Sequence, residues 1–112
     1  MIVKKIQPEP HVEWTIDGTI LFIGDIALDL ESEQKDSQVI IDICTRGEDL
    51  VIGLGDRYVA SILIPPARYE MVDSGEIDEH ENPVFLRRKL PIDLEAVELV
   101  LWRYEEAEKE VV

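Results

Sequence analysis

Apolar and polar residues alternate along most of this chain, and that two-residue period predicts strands. Val12, Trp14 and Ile16 alternate with His11, Glu13 and Thr15. Asp17-Gly18 follows as a turn signal. From Thr19 to Leu30 the even positions Ile20, Phe22, Ile26, Leu28 and Leu30 are apolar. This predicts one half-buried strand, bent at Gly24, with the even positions inward. A three-residue loop with Gly18 in a bulge would pair Trp14 with Ile20 and Val12 with Phe22, keeping one apolar face continuous. A two-residue loop at Asp17-Gly18 would pair Trp14 with Leu21 and mix the faces, so the bulged form is expected.

Glu31–Ser37 reads as a polar loop. Gln38–Thr45 reads as a strand with Val39, Ile41 and Ile43 on one face and Asp42 on the other. Turns are predicted at 46–49 and at Gly55-Asp56, around a short strand from Leu50 to Leu54. Arg57–Ile64 is the next strand, with Tyr58, Ala60, Ile62 and Ile64 inward. Pro65-Pro66 must end regular pairing, because proline has no N–H to donate. Ala67–Val72 continues as a bent edge strand. Asp73–Pro83 is read as the longest loop, polar and acidic, and Val84–Ile92 as an edge strand in view of Pro91. In 94–104, Val97, Leu99 and Leu101 suit a strand. Leu94, Val97, Leu101 and Tyr104 suit a helical stripe N-capped by Asp93. Strand is preferred because β-branched and aromatic residues are frequent there.

The pattern predicts an all-β fold: a small antiparallel β-sandwich or partly open barrel of six or seven short strands. The domain spans 1–104, and residues 105–112 form a charged tail that tolerates helix. The aromatic residues Trp14, Phe22, Tyr58, Phe85 and Trp102 are expected mostly in the core.

With 112 residues the chain is one domain long. Asp and Glu number 25 against 11 Lys and Arg, a formal net charge of −14. Such a chain is repelled by nucleic-acid phosphates and by anionic lipid, so neither nucleic acid nor membrane is an expected partner. Self-repulsion should also make the fold more stable in added salt. The single cysteine, Cys44, excludes an intrachain disulfide and suits a reducing, cytoplasmic compartment. The N-terminus has lysines without a following apolar run, and no stretch is long enough for an apolar membrane-spanning helix.

Candidate chemistry is sparse. The histidines are His11 and His80, and Cys44 is expected as a small packed residue. Ser61 sits between Ala60 and Ile62 in a strand. Gly53-Leu54-Gly55 lacks the third glycine, the lysine and the following helix of a phosphate loop, and reads as a turn. No enzyme activity and no cofactor are expected.

Asp73, Glu76, Asp78, His80 and Glu81 supply ligand types for a divalent cation, without the order of an EF-hand. Arg87-Arg88-Lys89 is expected to pair with carboxylates and to guard an edge strand. Pro65, Pro66, Arg68 and Tyr69 form a proline and aromatic surface suited to a protein partner.

Three functions follow as expectations. The first is a non-catalytic protein-binding or assembly module, acting on a protein partner or on itself through an edge strand. The second is a nucleic-acid mimic that fills a basic protein groove, with Asp25, Asp29, Glu31 and Glu33 starting an acidic row. The third is a divalent-cation binder through the 73–81 loop.

Overall fold

Valine, isoleucine and leucine dominate the segments that become strands, and in a computed structural model, which describes residues 1–105, these segments form ten strands. They are β1 (Ile2–Lys5), β2 (Trp14–Asp17), β3 (Ile20–Ile23), β4 (Ile26–Asp29), β5 (Val39–Arg46), β6 (Asp49–Ile52), β7 (Arg57–Ile64), β8 (Tyr69–Ile77), β9 (Pro83–Lys89) and β10 (Glu98–Leu101). One helical turn, α1 (Leu30–Glu33), follows β4. A short 3₁₀ turn at Leu94–Ala96 precedes β10. The predicted tail lies mostly outside the described residues.

The strands make three sheets: a five-stranded sheet in the order β1-β10-β7-β5-β6, a three-stranded sheet β2-β3-β4, and the two-stranded ribbon β8-β9. The fold is all-β and the barrel is not closed. It holds more strands than the six or seven expected, because Thr19–Leu30 folds back as a hairpin and the N-terminus adds a strand. All pairings are antiparallel except β1 with β10, where Ile2 stands opposite Glu98.

The five- and three-stranded sheets share one core. Leu21, Ile23, Leu28 and Leu30 meet Ile41, Ile43, Ala60, Ile62, Ile64, Leu99 and Leu101, all buried. Burial of this apolar area is the main drive to the fold. Val39, Ile41 and Ile43 do share a face, with Ile41 and Ile43 in the core and Asp42 on the other side. There Asp42 accepts a hydrogen bond from the Ser61 hydroxyl at 2.5 Å, across the strand pair. The Asp42 carboxylate thus satisfies the buried Ser61 hydroxyl.

The first hairpin corrects the expected register. Asp17 pairs with Ile20 and Trp14 with Ile23, so the loop is the two residues Gly18-Thr19. Gly18, at φ +60°, takes the first central position, where a tight hairpin turn favours glycine. Trp14 thus pairs three residues beyond its expected partner Ile20, and a shift by an odd number of residues exchanges the faces. Leu21 and Ile23 are therefore buried, and Ile20 and Phe22 are exposed. Gly24, at φ +56°, makes a full reversal with Asp25 instead of a bend, pairing Ile23 with Ile26. That reversal restores the even positions Leu28 and Leu30 to the core.

In β7 the expected inward Tyr58 is exposed and its neighbour Val59 is buried. The pairing shifts here: Ile43 stands opposite Ala60 but Cys44 opposite Tyr58, leaving Val59 as the extra residue of a bulge. A bulge turns two successive side chains off the simple alternation. Tyr58 stacks instead on Trp102, ring centroids 5.1 Å apart. Phe85 is exposed as well, while Trp14 and Trp102 are half-buried, so the aromatic residues lie more at the rim than expected.

The 94–104 segment takes the preferred strand reading, and of the helical alternative only the Asp93 cap and one short turn are present. Asp93 caps the 3₁₀ turn by accepting from the Glu95 N–H at 3.1 Å, and β10 follows. No helix among the described residues is long and apolar enough to cross a membrane, a statement that concerns helices only.

Candidate functional site

The segment expected as the longest loop is mostly strand. β8 runs through Ile77, and only residues 78–82 turn before β9 begins. The turn-forming residues Asp73, Ser74 and Gly75 sit within the strand because they build an irregularity there. Asp73 pairs with Phe85, but the next pair is Ile77 with Pro83. Gly75 takes φ +79°, its N–H donates to Asp73 Oδ1 at 2.9 Å, and the Ser74 hydroxyl donates to the Val84 carbonyl at 2.6 Å. Side-chain bonds thus replace the missing ladder bonds. At the tip, Asp78 Oδ1 accepts from the backbone N–H of His80 at 2.8 Å and of Asn82 at 2.9 Å.

Among the described residues, β8 and β9 pair with each other and with no other strand. The molecule is correspondingly long, 77 × 24 × 23 Å. Its radius of gyration is 19.5 Å, against about 13 Å for a compact domain of this size. A strand of nine residues adds roughly 30 Å of reach.

The ribbon's root is fastened to α1 and the segment after it by polar contacts. Lys89 Nζ donates to Glu31 Oε1 at 2.5 Å, and the Ile92 N–H donates to Glu31 Oε2 at 2.8 Å. The Tyr69 hydroxyl donates to Asp36, whose carboxylate also stands 3.6 Å from Arg87. The Arg87 guanidinium lies over the Tyr69 ring, 3.5 Å from its centre. Arg88 pairs with Glu70 across the ribbon. Hydrogen bonding from Lys89 and then from the Ile92 N–H holds the Glu31 carboxyl below its ordinary pKa. The bond to Asp36 is the first cause that pushes the Tyr69 hydroxyl up.

The predicted partner-binding residues fall at this root. Gln34 Nε2 donates to the Pro65 carbonyl at 3.0 Å, and the Arg68 carbonyl accepts from the Leu90 N–H at 2.8 Å. With Tyr69 already engaged by Asp36 and Arg87, Pro65, Pro66, Arg68 and Tyr69 form the junction between body and ribbon. Arg87-Arg88-Lys89 pairs with carboxylates as expected.

Exposed apolar side chains occur on the body, at Ile6, Ile40, Ile52 and Leu54, and also farther out along the ribbon. Met71 is 65%, Ile77 68%, Phe85 51% and Leu86 58% exposed. Met71 shares a face with Phe85, since their partners across the ribbon are Arg87 and Asp73. Leu86, opposite Val72, is on the other face. The signal was present in the runs Met71-Val72 and Val84-Phe85-Leu86, apolar at successive positions and so apolar on both faces of a strand.

The residues of the predicted cation site are spread along the outer ribbon. Asp73 and Asp78 spend their carboxylates on backbone N–H groups, and Glu76, His80 and Glu81 are exposed. Among the described residues, no group of three or more His, Cys, Asp and Glu is placed to hold a metal ion. The predicted acidic row does not lie along one strand. Asp25 is in a turn, Asp29 caps α1, and Glu31 and Glu33 are on α1 with Glu31 paired to Lys89.

A cleft of about 640 Å³ is lined by Arg57, Tyr58, Trp102 and Arg103 among others. Arg103 is occupied there: its guanidinium donates to the Glu9 carbonyl, and it stands 3.8 Å from Glu105. His11 Nε2 donates to the Gln7 carbonyl at 2.6 Å, and Cys44 is buried. No family model, curated protein or solved structure matches this chain.

Proposed function

We propose that this chain is a non-catalytic protein-binding and assembly module, with the β8–β9 ribbon as its contact element. One observation carries the reading: Met71, Ile77, Phe85 and Leu86 are each more than half exposed on a ribbon that no third strand among the described residues pairs with. A two-stranded hairpin is at best marginally stable alone in water. Large apolar side chains gathered on such an element favour a partner that buries them. The occupied chemistry of the body points the same way. Cys44 is buried, and the ring of His11 is engaged by a backbone carbonyl. The reading includes a reducing, cytoplasmic setting, supported by the single buried cysteine.

The test uses the full chain with Met71→Thr and Leu86→Thr together. Both sites are exposed, and threonine keeps the strand preference. The reading expects proteins that copurify stoichiometrically with the native chain, or its own self-association in sedimentation, to be lost in the variant. Its circular dichroism should be unchanged. Identical behaviour of the two chains would refute the ribbon's role.

A further inference from the structure

We infer that the ribbon's partner is a different protein with a basic, apolar-walled cleft that closes on both ribbon faces. The inference rests on the ribbon being the contact element, and adds what its partner must look like.

Two independent features carry it. Side chains on a strand alternate between faces. Met71 and Phe85 are exposed on one face and Leu86 on the other. A partner lying against a single face would leave one of these groups in water. Only a cleft, or two surfaces meeting around the ribbon, covers both.

The second feature is the distribution of unspent charge. At the root, Arg87, Arg88 and Lys89 are each paired with a carboxylate of the chain itself. Toward the tip, the carboxylates of Glu76, Glu79 and Glu81 have no hydrogen bond or ion pair among the described residues, and no Lys or Arg lies between Asp73 and Pro83. The ribbon therefore offers a negative end to whatever it enters. A second copy of a chain with net charge −14 is a poor host for that end, and so is an anionic membrane. A cleft with lysine or arginine at its far end and apolar walls along its sides matches both features.

The experiment places a photo-crosslinking residue singly at Met71, Leu86 or Glu79 in the full chain, expressed in its native cells. Crosslinked peptides are then identified by mass spectrometry. The expected result is one and the same foreign protein labelled from all three positions, with lysine- or arginine-rich peptides captured from Glu79. Combining Glu76→Lys and Glu81→Lys should cut labelling from Met71 and Leu86 by about tenfold or more. Circular dichroism of that variant checks the fold. Labelling from only one of Met71 and Leu86 would overturn the enclosing cleft. Capture of lipid, or indifference to the lysine substitutions, would overturn the basic partner. Labelling of a second copy of this chain would overturn this inference and leave the ribbon as an assembly element. No labelling from any ribbon position would overturn both.

Discussion

Glu31 and Lys89 are 58 residues apart in sequence, yet their side chains meet at 2.5 Å and join α1 to the end of β9. The same carboxylate takes the Ile92 N–H with its other oxygen. This one residue therefore fastens the root of the ribbon and the chain that leaves it.

The carboxyl of Glu31 is held below its ordinary value of 4.5, first by Lys89 and then by the Ile92 N–H. A carboxyl lowered in the folded state adds stability that is complete above the unfolded value. That stability is lost as pH falls through the lower folded value. Asp29 is lowered too, chiefly by its bond from Thr19, and adds an acid loss of the same sign. Glu31→Gln should cost about 1 kcal/mol at neutral pH, a modest figure because both partners are partly exposed to solvent. The gap between variant and native chain should shrink below pH 4.5. Urea titrations at neutral and acid pH measure this. Faster hydrogen exchange at the Ile92 amide would locate it.

Gly55 lies where the loop after β6 crosses β5. A methyl group there would fall on the Thr45 carbonyl oxygen and stand 3.0 Å from the Cys44 Cβ. Backbone must move to admit it, so Gly55→Ala should destabilise by about 1–3 kcal/mol. The displaced loop should also let a thiol reagent reach Cys44 faster than in the native chain. Unchanged stability and unchanged thiol reactivity together would contradict this packing.

The body should fold without the ribbon. The Arg68 carbonyl and the Leu90 N–H are hydrogen-bonded at 2.8 Å, so a short Gly-Ser link can replace 69–89 without strain. No ladder of the other two sheets is cut. Loss of the Lys89 contact should lower the melting temperature by about 4–8 °C, the equivalent of roughly 1 kcal/mol in a domain this small. Calorimetry should show a single cooperative transition. Absence of one would mean that the ribbon is part of the folding unit.

Excess negative charge should make stability rise with ionic strength. At a net charge of −14, repulsion among carboxylates weakens the compact state, and salt screens it over about 10 Å at 0.1 M. The melting temperature should climb between low and moderate sodium chloride. The ion pairs at the ribbon root are screened at the same time, which bounds the gain. A flat or falling melting temperature would show that paired charges outweigh unpaired ones.

The sequence by itself determined the class of fold and most strand positions. Alternation named Ile41, Ile43, Ile62 and Ile64 as core, the turn at Gly47 was marked by its glycine, and Pro65-Pro66 ended β7 where expected. It determined these because strand preference, turn geometry and a missing proline N–H are local properties. Which face of β3 goes inward, which residue of β7 bulges, and what Asp73–Pro83 becomes were decided by pairing between distant residues. In β3 the choice of loop moved the register by three residues, an odd number, and put Leu21 and Ile23 inside in place of Ile20 and Phe22. At the candidate site, the sequence showed the cations of Arg87-Arg88-Lys89 but not that Asp36, Glu70 and Glu31 would meet them. Only the tertiary structure left β8 and β9, among the described residues, with each other as sole strand partners. A side chain's exposure depends on what the rest of the chain fails to cover, and no local pattern contains that.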